Sequence, residues 1–203
     1  MTPAGTRRPG KMQENTKASS TTRASPGTLP EGEGVIDQLA ALGLKTSDLS
    51  CCILTHMDID HAGGIGQVKD AGRILVSHAE WEAANRRNPR YLRRLWKDVP
   101  VQTFPDDSFD LFGDSSIVMV PMHGHSAGMT AVLVRGGKKY LVIAGDAGYG
   151  RASWERLVLP GVEWNRKETK EFLEGLRRMA LDPDCEAVLM THDPEKMQDV
   201  YEV

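Results

Sequence analysis

Four potential metal ligands lie within six residues of one another: His56, Asp58, Asp60 and His61. They directly follow the apolar run 51–55, which is typical of a buried strand. A rigid strand holds the start of such a loop, while the loop can direct neighbouring side chains to different sides of one cavity. Imidazole is a good ligand for zinc, and carboxylate suits harder ions such as manganese or iron. The pattern predicts a metal site, and the alternative is an ordinary polar surface loop.

Three further candidate ligands each stand at the end of an apolar, strand-like run. His125 follows the run 117–120, Asp146 follows 140–144, and His192 follows 187–190. A single histidine at such a position is more often a hydrogen-bonded structural residue. The recurrence changes this interpretation, because strand ends on one side of a sheet converge in space. We therefore expect these three residues to meet the 56–61 loop.

The elements that must position these residues alternate between helices and strands. Helical spacing and capping predict helices at 35–42, after the 56–64 loop as far as about Asp70, from Ser77 through Ala84 and at 172–180, with a further helical turn from Pro89 toward Trp96. Ser77 with Glu80 three residues later is interpreted as a capping box. Strands are predicted at 51–55, 74–76, 117–120, 131–134, 140–144 and 187–190, with Gly136-Gly137 as a hairpin signal. The fold class is α/β.

Composition narrows the classes of function and partner. The chain has 203 residues, of which 40% are hydrophobic and 26% charged, with a formal net charge of −3. This charge offers no general attraction to nucleic acid or to an anionic membrane, and no apolar run approaches the roughly 20 residues of a membrane helix. Residues 1–31 predict a disordered tail because they are polar and poor in large apolar residues, which leaves 32–203 as one domain.

The three cysteines and the absence of a secretory-like apolar stretch favour a cytoplasmic protein. Cys51 and Cys52 are adjacent and Cys185 stands alone, which is not a disulfide framework. Their spacing fits no zinc knuckle, so they are interpreted as buried structural thiols.

A basic run lies between the predicted strands. It contains Arg86, Arg87, Arg90, Arg93, Arg94 and Lys97, interleaved with Trp81, Tyr91 and Trp96. It is interpreted as a solvated helical face with aromatic anchors beneath it. The alternatives are a lid that attracts anionic substrates or a nucleic-acid patch.

Taken in order, the motifs resemble those of the metallo-β-lactamase fold superfamily. The matches are the 56–61 loop, the glycine-flanked histidine of 122–128, Asp146 and His192. Tyr149, three residues after Asp146, and the pair His192-Asp193 resemble the N-acyl homoserine lactonase branch. Asp58, where the family motif H-x-H-x-D-H has histidine, and the stretch 110–114 resemble a subgroup of it. The resemblance covers about residues 32–203, without several strands that usually begin the fold.

That resemblance implies a fold and a set of ligands. The fold would be an αββα sandwich with an incomplete first sheet. One metal would be held by His56, Asp58 and His125, a second by Asp60, His61 and His192, and Asp146 would bridge them. The implied cofactors are two divalent ions, with zinc foremost and iron or manganese as alternatives because Asp58 is a carboxylate.

The implied activity is hydrolysis of a small-molecule lactone or ester, with no nucleic-acid or membrane partner. A hydroxide held between the metals would attack the carbonyl carbon. Tyr149 would donate a hydrogen bond to the developing oxyanion, or it is a packing residue, and Asp60 would pass a proton to the departing alkoxide. Alternatives are a glyoxalase II-like thioesterase, a phosphodiesterase, or a non-catalytic truncated remnant that binds metal poorly.

Overall fold

The structure is a computed structural model that describes residues 31–195 and 200–203. The predicted disordered tail, apart from its last residue, lies outside these ranges. Five α-helices are described: α1 Val35–Ala41, α2 Ile59–Ala62, α3 His78–Asn85, α4 Arg151–Arg156 and α5 Arg166–Ala180. Short 3₁₀ turns span Thr46–Asp48, Ile65–Val68 and Arg93–Leu95. The strands are β1 Cys52–Ile53, β2 Ile74–Ser77, β3 Val101–Phe104, β4 Phe109–Asp110, β5 Ile117–Pro121, β6 Thr130–Gly136, β7 Lys139–Gly145 and β8 Cys185–Met190.

The described strands form two sheets. The first has the order β1-β2-β3 with parallel pairing throughout. The second has the order β4-β5-β6-β7-β8, antiparallel up to β7 and then parallel between β7 and β8. In this arrangement β1, β7 and β8 all run into segments that carry candidate ligands.

Alternation along the strands divides the core into three layers, because successive side chains of a strand point to opposite faces. Leu75 packs between the sheets with Phe104, Met119 and Val132. Its neighbours Ile74 and Val76 pack on the other face, in the cluster that contains Ala83 and Ala84 of α3. On the outer face of the second sheet, a further cluster joins Leu133 and Val142 to Leu173 and Leu176 of α5. The layer order is therefore helix, sheet, sheet, helix, as expected.

Several predicted elements are confirmed. The hairpin joins β6 to β7, with Gly136 paired to Lys139 and Gly137 at φ 62°. The late helix is α5, which begins earlier than predicted because the Asn165 side chain accepts hydrogen bonds from the backbone nitrogens of Lys167 and Glu168. The first sheet contains three strands within the described ranges, with β1 at one edge.

Other predictions were wrong in detail. The strand predicted at 51–55 is only two residues long, and the helical turn predicted from Pro89 toward Trp96 is limited to the 3₁₀ turn Arg93–Leu95. Strands β3 and β4 were not predicted, because β3 is mostly exposed and β4 is short. The three cysteines are unpaired but only partly buried. Among the described helices, none is both long and apolar enough to cross a membrane.

Candidate metal centre

All seven predicted ligands meet at one edge of the two sheets, in two neighbouring groups. His56, Asp58 and His125 form the first, called here the enclosed group, in which one donor atom from each residue lies within 4.8 Å of the others. The second, called the open group, brings together Asp60, His61, Asp146 and His192 under the same 4.8 Å limit. Asp146 links them, since its Oδ2 lies 3.8 Å from His125 Nε2.

The segment after β1 distributes its side chains between the groups. Leu54 donates its backbone N–H to Leu75 and Thr55 accepts one from Thr130, so the strand end is held by both sheets. The chain is extended at Asp58 and then turns into α2, whose first turn carries Asp60 and His61. The sequence predicted a loop throughout residues 56–64, but the structure has the short helix α2 within this segment. The change from extended to helical backbone is what separates the two pairs of side chains.

His125 is held in one orientation by the backbone around it. Its Nδ1 lies 2.8 Å from the carbonyl oxygen of Val162, which can only accept, so Nδ1 carries the proton and Nε2 keeps its lone pair. Gly124 has φ 122°, and a Cβ there would collide with the backbone nitrogen of Thr169. These contacts explain why a glycine precedes this histidine.

Glu80 ties the loop of His56 to the loop of His125. It is fully buried on α3, and it accepts hydrogen bonds from Met57 N at 2.9 Å, Tyr91 Oη at 3.1 Å, Ser126 Oγ at 2.7 Å and Gly128 N at 3.0 Å. The capping box is thus only half formed. Ser77 Oγ accepts from Glu80 N at 3.2 Å, but the Glu80 carboxyl turns into the protein. The structure shows a positioning role that the spacing alone did not reveal.

Arg90 also enters the site, contrary to the interpretation of the basic run as a solvated face. Its side chain is 16% exposed and lies against Asp58 and His125. Arg86, Arg87, Arg93, Arg94 and Lys97 are exposed, as expected. Tyr91 and Trp96 are buried anchors, but Trp81 is only partly buried. The spacing of charges in the basic run does not distinguish Arg90 from its neighbours. The signal that could have identified it is the carboxylate at position 58, because a partly buried carboxylate needs a positive partner.

The open group is assembled from the ends of β7 and β8. Asp146 follows Gly145, whose φ is 53°, and it is buried. Its Oδ1 lies 3.2 Å from His61 Nε2, and its Oδ2 lies 3.1 Å from His192 Nε2. Thr191 N donates to Gly145 O, which brings the end of β8 beside that of β7. His192 and Asp60 remain largely open to solvent.

Electrostatics favours the protonation states that bind cations. Burial raises the pKa of the Asp58 carboxyl, but the neighbouring His125 and His56 and the Arg90 guanidinium outweigh it and hold that pKa well below its usual range. Burial also opposes ionisation of Asp146, but the neighbouring imidazole of His61 outweighs it and lowers the pKa of the carboxyl. Burial lowers the pKa of His56. At neutral pH the two carboxyl groups are charged and His56 is neutral, as metal ligation requires.

Unsatisfied donor atoms test whether a cation fits. His56 Nε2, His61 Nε2 and Asp146 Oδ1 are buried atoms without a hydrogen-bond partner. Although His61 Nε2 and Asp146 Oδ1 lie 3.2 Å apart, their geometry is not that of a hydrogen bond. Buried polar atoms are rarely left unpaired, and imidazole and carboxylate are ordinary ligands of zinc and manganese. The arrangement therefore fits divalent cations.

Tyr149 borders both groups. Its ring centroid lies 5.1 Å from that of His192 and 6.3 Å from that of His125. Its backbone nitrogen donates to Ser153 Oγ, which fixes the start of the segment before α4. Burial, and then the charge of Asp146, raise the pKa of its hydroxyl. The placement is compatible with the predicted hydrogen bond to substrate, which stays a prediction.

Comparison with known sequences identifies one protein family and related proteins of similar sequence. Residues 21–192 match the family model described as the metallo-beta-lactamase superfamily. The chain is 30% identical over 178 residues to N-acyl homoserine lactonase AttM of Agrobacterium fabrum, covering 82% of this chain and 66% of the relative. It is 32% identical over 198 residues to a probable metallo-hydrolase of Mycobacterium tuberculosis, covering 83% and 62%. The chain thus spans just under two thirds of the length of these relatives.

Solved structures give the same fold at lower identity. An N-acyl homoserine lactone hydrolase with the product N-hexanoyl-L-homoserine at its catalytic metal centre matches with a TM-score of 0.70 and 19% identity, over 81% of this chain and 64% of that one. AidC, a dizinc quorum-quenching lactonase, matches with a TM-score of 0.62 and 15% identity, over 78% and 62%.

Proposed function

Because the chain belongs to the metallo-β-lactamase superfamily, we propose that it is a dinuclear metal-dependent hydrolase that opens lactones or esters. The observation that carries this proposal is the convergence of seven donor residues, distant along the chain, into two adjacent groups. Structural ion pairs would not leave three buried donor atoms without partners at the same place.

The residues divide into ligand sets according to the two groups. His56, Asp58 and His125 would hold one cation, and Asp60, His61 and His192 a second. Asp146 would serve both, since each of its oxygens faces a histidine of the open group and Oδ2 also faces His125. When bound, such ions lower the pKa of a water ligand toward neutrality and polarise a carbonyl oxygen. Zinc is the proposed metal, with iron or manganese favoured by the carboxylate at position 58.

Two residues of this chain are proposed to act on the substrate. The raised pKa of Tyr149 keeps its hydroxyl protonated at neutral pH, so it can donate a hydrogen bond to the oxyanion that develops on the carbonyl oxygen. Asp60 is 53% exposed at the mouth of the site, where its carboxylate would take up the proton released by the attacking water and pass it to the departing alkoxide oxygen. The partly buried floor around Asp58 and Asp146 limits the access of bulk water.

The substrate class follows from the leaving group and from the relatives. An alkoxide leaves more readily than an amide nitrogen, so one proton carrier at the site mouth suffices for a lactone or ester. The relatives named as N-acyl homoserine lactonases, at about 30% identity, support a lactone with an acylated amine beside the ring.

Side-by-side turnover would test the proposal. The full chain, loaded with zinc, manganese or iron, is assayed on an N-acyl homoserine lactone, a glutathione thioester and a bis-aryl phosphodiester. We expect the lactone to be turned over fastest, and Asp146→Ala to abolish the reaction. Greater turnover of the thioester or phosphodiester would instead identify a glyoxalase II-like enzyme or a phosphodiesterase. A folded chain that binds no metal and turns over none of the three would be a non-catalytic remnant.

A further inference from the structure

The guanidinium of Arg90 makes four contacts with two residues of the enclosed group. Nε donates to Asp58 Oδ1 at 2.5 Å and Nη2 donates to Asp58 Oδ2 at 2.6 Å. Nη1 donates to the carbonyl oxygen of His125 at 2.7 Å, and Nη2 lies 2.9 Å from His125 Nε2. The arginine therefore bridges one carboxylate and one imidazole, with two parallel bonds to the carboxylate.

Arg90 Nη2 faces the same two atoms that a metal ion would need. His125 Nδ1 donates to Val162 O, so the lone pair on Nε2 is free to accept from Nη2. Asp58 Oδ2 lies 3.1 Å from that Nε2, and Arg90 Nη2 lies within 2.9 Å of both atoms, so a positive charge beside them offsets the repulsion between two acceptors. The guanidinium supplies that charge, and it shares both donor atoms with any cation bound at this group.

Asp58 is the residue that makes this possible. A neutral imidazole at position 58 would offer the guanidinium neither a charge nor a pair of acceptor oxygens. The open group has no equivalent of Arg90, because among residues 31–195 and 200–203 no arginine or lysine forms an ion pair with Asp60 or Asp146. The two groups thus differ in whether the protein itself provides a cation.

We propose that Arg90 is a built-in counter-cation of the enclosed group, which competes with metal there and makes the open group fill first. This rests on the two metal sites of the proposed function. Arg90 keeps Asp58 and His125 aligned without metal, and it must give up its Nη2 contacts before the enclosed group can bind an ion. Arg90 is a positioning residue, and its effect is on metal affinity at one of the two sites.

Metal titration of the stripped full chain tests the proposal without measuring activity. The chain is dialysed against buffered zinc, and bound zinc per chain is measured by elemental analysis. We expect one equivalent to bind first and the second at about tenfold higher free zinc. Arg90→Met, which keeps the length and removes the charge, should tighten the second equivalent about tenfold and leave the first unchanged, in the range known for residues that orient metal ligands. The matched control Arg93→Met, at an exposed position, should behave as the parent.

A second variant covers the case in which Arg90→Met does not fold. Arg90→Lys keeps a charge but cannot span both oxygens of Asp58, so its second dissociation constant should fall between those of the parent and Arg90→Met. A second dissociation constant that is unchanged or weaker in these variants would overturn the proposal. If the parent binds two zinc ions equally and Arg90→Met does not alter this, the inference fails while the proposed function stands. If the folded parent binds no zinc, both fail.

Discussion

The enclosed and open groups are built in opposite ways around one shared aspartate. In the enclosed group, His56 and His125 are buried, and their loops are tied together by Glu80 and Arg90. In the open group, Asp60 and His192 are 53% and 42% exposed, and among the described residues they form ion pairs only with other candidate ligands. The enclosed group is therefore held together by the protein itself, while the open group depends on ions from solution to balance its charges.

This difference follows from the elements that carry the residues. The enclosed group lies where the segment after β1 and the loop of His125 both contact α3, so backbone N–H groups are buried and must be paired. The open group is assembled from α2 and the ends of β7 and β8, and its Asp60 and His192 side chains are exposed to solvent. The enclosed group is therefore preorganised by the protein, whereas the open group is accessible to solvent.

The largest effect is expected at the residue that joins the two groups. Asp146→Ala should remove a ligand from both, so bound metal should fall below one equivalent and turnover should drop at least about a thousandfold, equal to about 4 kcal/mol of transition-state stabilisation. Elemental analysis and steady-state kinetics measure these two quantities. A variant that retains two equivalents would show that Asp146 does not bridge the groups.

Loss of Glu80 should damage the enclosed group alone. Glu80→Ala leaves four donors without their acceptor, two of them backbone N–H groups, and should lower the free energy of unfolding by about 3 kcal/mol. Chemical denaturation of the metal-free chain measures this. Glu82→Ala, an exposed position on the same helix, is the matched control and should change stability by less than about 0.5 kcal/mol. Equal effects of the two substitutions would refute a special role for Glu80.

Tyr149 tests whether a residue beside both groups acts on the substrate. Tyr149→Phe should lower kcat about a hundredfold, equal to about 2.7 kcal/mol, with metal content and melting temperature unchanged. Tyr140→Phe is the control, since that hydroxyl bonds to Asp182 at the other end of β7. If Tyr149→Phe leaves kcat unchanged, the tyrosine is only a packing residue.

Chelation should distinguish the groups by their dynamics. In the metal-free chain, the amide of Met57 should stay protected from hydrogen exchange because Glu80 still holds it. The amides of Thr191 and Asp193, beside His192, should exchange about tenfold faster than with metal, equal to about 1.4 kcal/mol. Native-state exchange read by NMR measures both sets. Uniform loss of protection across the site would contradict the asymmetry.

The sequence pattern predicted the α/β class and the meeting of seven candidate ligands, and the resemblance to a known family implied the layered sandwich. It could do so because strand ends and short motifs are local features: His56 to His61 are adjacent in the chain, and His125, Asp146 and His192 each follow an apolar run. Local pattern failed where the backbone departs from regular periodicity. The helical turn that carries Asp60 and His61 was expected to be loop, and the strand expected at 51–55 is only two residues long.

Only the tertiary structure decided which polar residues support those ligands. Glu80 had the spacing of a helix cap and Arg90 the appearance of a solvated charge. Both were misassigned because, apart from the Tyr91 that bonds to Glu80, their partners lie 23 to 48 residues away in the chain. A side chain's type limits the bonds it can make, and ligand types are distinctive enough to be read from sequence. Which buried donor or acceptor a Glu or Arg satisfies depends on distances that exist only once the sheets have packed.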